Sequence, residues 1–361
     1  MLKHIWGLFA VLLVVLSGCQ TANVQNSEKL RRKAERGDAA AQCELGRIHR
    51  EGDGVETNFL SAIKWFVKAA EQGDAEGQYQ LALCHRRGQG VETNYVAAVE
   101  WFRRAAEQNH PKALYSMGLR YEKGQGVETN LQESIEWFQK SAELGYGKAQ
   151  AAVGYRYATG KGVEKDYAQA VRWYQLAAEQ GLKVSQYNLA NYYRQGQGIE
   201  TNLIESTKWY RASAEQGYAK AQYRLALAYS NGEGVQESEE LAFEWIFRAA
   251  TNGYDSAQSS LGSRYEMGLG TETNLASAVQ WYRKAAEQSH TSAMYNLGAC
   301  YQYGDGVEED FSKAFEWYLK AAELGESWSQ CKIGWFYEAG EGVEANPKLA
   351  VEWYRKSAEQ G

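Results

Sequence analysis

Residues 253–288 read GYDSAQSSLGSRYEMGLGTETNLASAVQWYRKAAEQ, and the same arrangement returns every 36 residues along the chain. Nine tryptophans keep the interval: Trp65, Trp101, Trp137, Trp173, Trp209, Trp245, Trp281, Trp317 and Trp353. A Gly-x-Gly pair keeps the same register, opening at Gly52, Gly88, Gly124, Gly160, Gly196, Gly232, Gly268, Gly304 and Gly340. A period of this size marks stacked supersecondary units, each too small to bury its apolar side alone.

Counted from Gly37 as position 1, each repeat carries a small residue at 5, an aliphatic at 9, Gly or Ala at 10 and an aromatic or His at 13. These steps of four and one trace one stripe of a helix. In the third repeat they are Ala113, Met117, Gly118 and Tyr121, and Gly124 and Gly126 then stop the helix. Position 22 is Asn, Asp or Ser throughout, from Asn58 and Asn94 to Asp310 and Asn346, which predicts an N-cap of a second helix. Pro347 directly after Asn346 suits the first helical position. The expected buried stripe of the second helix is Ala278, Trp281, Tyr282, Ala285 and Ala286 in the seventh repeat. Truncating such a tryptophan, if buried, would cost roughly 3–5 kcal/mol.

The run Ala-Gln-x-x-Leu-Gly-x-x-Tyr-x-x-Gly-x-Gly-Val, followed by Ala-x-x-Trp-Tyr-x-Lys-Ala-Ala-Glu, resembles the Sel-1-like repeat over residues 37–360. The resemblance implies an all-α, right-handed superhelical solenoid of helix-turn-helix units, related to the tetratricopeptide repeat and used as a protein-interaction scaffold. Nine repeats are expected over 37–361, starting at 37, 73, 109, 145, 181, 217, 253, 289 and 325. Residues 28–36 resemble the end of a second helix and are expected to cap the stack. The chain ends at Gly361, where a tenth repeat would begin; truncation is expected, the alternative being an edge that docks on a partner.

Positions 5, 6, 9, 10 and 13 face the hairpin core, which leaves 4, 7, 8, 11, 14 and 15 for a concave groove. Tyr79, Tyr115, Tyr187, Tyr223 and Tyr295 occupy position 7 there, joined by Trp335 and by Tyr155, Tyr303 and Trp328. Aromatic rings outside the hairpin core suit a binding surface, and equally suit packing against the next repeat. Asn188, Asn191, Arg194, Lys220 and Arg224 add donors in the fifth and sixth repeats that could grip a peptide backbone or carboxylate, although long polar side chains on a helix are commonly only solvated.

At the other end, Lys3 and His4 precede an apolar run from Ile5 to Leu16. That run falls short of the roughly 20 residues a spanning helix needs and reads as a signal peptide, 1–18. Leu16-Ser-Gly-Cys19 resembles the bacterial lipobox, which implies lipidation of Cys19, and Gln20 in place of Asp implies the outer membrane, facing the periplasm. The alternative is an ordinary signal peptide cut near Gly18 that leaves Cys19 a plain thiol. Residues 19–27 read as a polar tether.

The net charge of −6, with both signs interspersed, offers no field for nucleic acid. Two Ser-x-x-Lys matches, Ser61 to Lys64 and Ser329 to Lys332, lack the other elements of β-lactam-binding enzymes. Cys43, His49, Cys84 and His85 point in different directions, so no metal is expected, and the two histidines should replace the position-13 tyrosine, partly buried. Cys43–Cys84 and Cys300–Cys331 would need opposite flanks of a first helix to face forward; at least one pair is therefore expected as free thiols. These features predict a non-enzymatic scaffold of the bacterial envelope, binding an unknown protein or peptide without cofactor. The alternatives are a secreted effector or adhesin that engages a host protein, and a β-lactam- or peptidoglycan-acting hydrolase, for which no nucleophile, base and orienting group converge.

Overall fold

The computed structural model describes residues 28–360, so the expected signal peptide, Cys19 and the expected tether lie outside the described residues. All regular structure among the described residues is helical. After a helix over residues 28–35, hairpins follow one another, from Ala39–Glu51 with Phe59–Glu71 to Ser327–Ala339 with Pro347–Ala358. The chain is thus an all-α solenoid of helix-turn-helix repeats, and its described residues divide into two compact units, 28–173 and 174–360.

The helices stop and start where the residues require. At Gly124 the backbone turns left-handed, with φ 63°, and its N–H closes on the Arg120 carbonyl, a conformation open to glycine at no steric cost. Asn94 then accepts a bond from the Ala97 N–H at 2.9 Å, and its equivalents at position 22 cap in the same way, Ser238 and Asp310 included. Pro347 occupies the first turn behind Asn346.

In the first unit the hairpins close on Phe66, Phe102 and Phe138, position 30 of the repeat, none of which retains exposed surface. A β-carbon at Gly46 would lie 2.5 Å from the Phe66 ring, and one at Gly118 2.8 Å from that of Phe138. The small residue at position 10 therefore lets the two helices approach with the ring between them. In the second unit Tyr210, Tyr282 and Tyr318 take that place, and their hydroxyls donate to Asn191 (2.7 Å), Glu266 (2.5 Å) and Gln302 (3.0 Å).

The tryptophans correct the expected stripe. Trp245 is buried, but Trp65, Trp101, Trp137, Trp281 and Trp317 are only half-buried. The reason is their position between hairpins: Trp101 packs against both the Phe66 and the Phe102 clusters, and Trp317 against the Tyr282 cluster. Their remaining faces are covered by cations three residues on, Arg104 over Trp101 at 4.4 Å and Lys284 over Trp281 at 3.9 Å.

Two further contacts join neighbouring hairpins. Buried Gln78 donates to the Ala70 carbonyl at the end of the preceding helix and accepts from Gln108 at 2.9 Å; Gln222 and Gln258 repeat the arrangement in the second unit. Where position 6 is apolar, as Leu114 or Met294, position 36 is also apolar, Leu144 or Leu324. The second glycine of seven loops docks on the preceding hairpin, whereas Gly54 in the first loop faces open space: a β-carbon at Gly234 would stand 2.1 Å from the Leu203 carbonyl oxygen. The helix over 28–35 is held by the same device, since Gln42 donates to the Ala34 carbonyl at 3.0 Å.

Candidate functional site

The face carrying positions 7, 8, 11 and 14 is lined by first helices, and in the second unit it collects most of the expected site. Tyr187, half-buried, lies edge-on to Tyr218 at 5.2 Å and tilts against Tyr210 at 5.8 Å. Tyr223 lies edge-on to Tyr254 at 5.5 Å, with its hydroxyl 3.2 Å from Ser260 Oγ. Both position-7 tyrosines thus seat one side of the ring on the next hairpin and leave the other part open. Tyr79 and Tyr115 do likewise in the first unit, on His110 at 4.9 Å and Tyr146 at 5.4 Å. Tyr295 packs on Tyr318 at 5.4 Å, and Trp335 stands perpendicular to Phe336 at 5.1 Å.

The polar candidates divide by how far the protein already uses them. Asn191 donates to the Tyr187 carbonyl at 3.0 Å and accepts from Tyr210, so its amide serves the fold. Burial pushes the Tyr210 phenol up, and the charges of Arg194 and Arg224 act on it in the opposite direction. The Arg194 Nε is buried without a hydrogen-bond partner. Asn188 is half-buried and Lys220 exposed. Tyr187, Tyr223, Arg194, Arg224 and Lys220 therefore form one aromatic and cationic surface over two neighbouring first helices, Lys183–Gln195 and Ala219–Asn231. More exposed rings sit at Trp328, 73 % accessible, and Tyr303, 60 % accessible, where Lys332 bonds the Tyr303 hydroxyl at 3.2 Å.

The chemistry of the discounted motifs is also visible. Ser329 is wholly buried and its Oγ has no partner, while Lys332 Nζ turns away to Gln302 at 3.1 Å. Ser61 sits in the first turn of a helix, its N–H taken by the Asn58 cap. Neither hydroxyl hydrogen-bonds a lysine or histidine among the described residues. Cys43, Cys84 and Cys300 are buried and Cys331 exposed, all four as free thiols. Burial pushes Cys43 and Cys300 up to about 12 and Cys84 to about 11, so these thiols stay protonated and unreactive. His49 and His85 are half-buried at position 13, their carbonyls accepting from Asn58 and Asn94 as that of Tyr121 accepts from Asn130. No cluster of three or more His, Cys, Asp or Glu that could hold a metal ion occurs among the described residues.

Sequence reasoning missed Tyr210 as the hub of this surface, although its place beside Trp209 repeats at every hairpin. It also missed the buried arginines of position 12, Arg120, Arg156 and Arg264, whose spacing of whole repeats was the available signal.

Comparison with known proteins places the chain. The family description "Sel1 repeat" matches residues 39–74, 75–110, 111–146, 147–182, 183–218, 219–254, 255–290, 291–326 and 329–361. A protective antigen of uropathogenic Escherichia coli that displays an SLR fold is 34 % identical, with a TM-score of 0.75 over 92 % of this chain and 79 % of that one. A Sel1 repeat protein from Oxalobacter formigenes is 33 % identical, with a TM-score of 0.64 over 84 % of this chain and 87 % of that one. A search of curated proteins finds no match.

Proposed function

Because the chain belongs to the Sel1 repeat family, whose members are in general non-catalytic protein-interaction scaffolds, we propose that it is a docking scaffold of the bacterial envelope that binds a partner polypeptide along its first helices. The observation that carries this reading is the surface around Tyr210. Half-buried Tyr187 and Tyr223 offer rigid aromatic area at low entropic cost, and Arg194, Arg224 and Lys220 beside them form no ion pair with a carboxylate among the described residues. A partner segment with apolar and acidic side chains complements such a surface.

Lipid on Cys19 would hold the array at the outer membrane, on the periplasmic side, as the Leu-Ser-Gly-Cys sequence and Gln20 suggest. A second reading, display towards a host protein, is favoured by the antigen character of the similar E. coli protein. The test is crosslinking of the full-length, lipidated chain in native membranes, compared with the Tyr187→Ala, Tyr223→Ala, Arg224→Ala triple variant. Recovery of a defined partner should fall about ten-fold or more in the variant. Undiminished recovery by a variant of normal helicity contradicts the assignment.

A further inference from the structure

Position 12 carries arginine in three repeats, and Arg120, Arg156 and Arg264 are 3 %, 4 % and 7 % exposed. A guanidinium stays charged even when buried, so each requires an anion or a set of acceptors. Arg156 finds one: its Nη2 lies 2.9 Å from Oε2 of Glu122, at position 14 of the preceding repeat. Arg264 finds another: it bonds Glu239, at position 23, and Ser230, at position 14.

Arg120 has the same surroundings with the charges changed. Whole-repeat spacing puts Arg86 where Glu122 and Ser230 stand, and Tyr95 where Glu239 stands. The Nε atoms of Arg86 and Arg120 are both buried without a hydrogen-bond partner, and neither guanidinium joins an ion pair among the described residues. Arg86 and Tyr95 both act electrostatically on Arg120, and Tyr95 acts on Arg86, in keeping with the neighbouring places that whole-repeat spacing gives them. Tyr95 is 38 % exposed, which opens the cluster to solvent. Among the described residues no carboxylate acts on either arginine: Glu76 is engaged with His110 at 3.0 Å, and Glu122 with Arg156 and, at 2.6 Å, Lys161. Two buried cations with no acid between them repel one another, and an anion arriving from outside relieves that repulsion.

We propose that Arg86 and Arg120, with Tyr95 at the mouth, form a receptor for one carboxylate of a partner polypeptide, an inference that rests on the docking-scaffold reading above. A carboxylate is the fitting group because glutamates fill the two equivalent places, and the guanidinium fork matches a planar pair of oxygens. An acidic side chain and a chain terminus both supply it.

The test is calorimetric titration of the full-length protein with three probes: C-terminally amidated pentaglutamate, pentaalanine with a free C-terminus, and inorganic phosphate. One or both peptides should bind saturably and more tightly than phosphate; the amidated probe identifies a side-chain source and the free terminus a terminal one. Arg86→Glu copies Glu122 and should weaken peptide binding about ten-fold while raising the Tm of the free protein by about 2–4 °C. Tyr95→Glu copies Glu239 at an exposed first residue of a helix and should do the same. The proposal is overturned if neither peptide binds, if phosphate binds more tightly, or if either variant binds unchanged or melts lower than the parent. Failure here with partner recovery intact removes this receptor alone. Loss of partner recovery with pentaglutamate still bound removes the scaffold reading instead.

Discussion

Phe102 has no exposed surface, whereas its neighbour Trp101 keeps an open edge beneath Arg104, so the two rings do different work. Phe102→Ala empties a site enclosed by two helices and should cost about 3–5 kcal/mol, while Trp101→Ala, at a seam that can close, should cost less. Urea midpoints of the two variants check the order. The tryptophan was the residue most legible in the chain, since its interval never fails, yet periodicity reports a recurring environment and not its depth. The glutamines at position 6 were legible only as part of a pattern. Their bonds join residues 30 apart, a relation that one repeat read alone cannot display. A pH effect also belongs at this scale. The His110 ring beside Glu76 holds its carboxyl down at about 2, below the unfolded value of roughly 4.3, so Glu76 contributes stability that is complete above that unfolded value and is lost as the pH falls towards 2. The urea-midpoint gap between the parent and Glu76→Gln should therefore be widest near pH 6 and close on acidification to about pH 2; a gap independent of pH contradicts it.

At the scale of the element, caps and breaks were the part best read from residues. Asn, Asp or Ser at position 22 and the first glycine of each pair act through local backbone geometry, which needs no knowledge of the neighbours. The second glycine was read as a turn residue too, and that was only half its role. Gly234 takes φ +69° and also lies against the Leu203 carbonyl, a contact made with the preceding hairpin. Gly234→Ala meets a strained backbone and an occupied site together, so it should destabilise by about 2–4 kcal/mol, the sum of the two effects. Hydrogen exchange should locate the loosening at the first turn of Leu203–Glu215 as well as in the loop. Exchange confined to the loop would show that the docking contact carries little.

Over the whole molecule, stability is a sum of hairpins and of the seams between them, and the tryptophans, glutamines and second glycines all lie at seams. Function draws on the same arrangement. The second helices close the cores, and the first helices are left to present Tyr187, Tyr223, Arg194 and Arg224 side by side. The half-exposed tyrosines of position 7 on that face were legible from position numbers, although Cys43 at the same position, and Gln80, Ser116 and Leu83 at others given to the groove, are buried. Which side chains of the face were already spent was not legible: Asn191 looks as available as Asn188 until the Tyr210 hydroxyl is placed against it. The most direct test is hydrogen exchange on the full-length chain with and without its captured partner. Protection should appear on Lys183–Gln195 and Ala219–Asn231, with the paired helices Leu203–Glu215 and Glu239–Thr251 unchanged. Protection of those paired helices with the first helices unaffected would contradict the account.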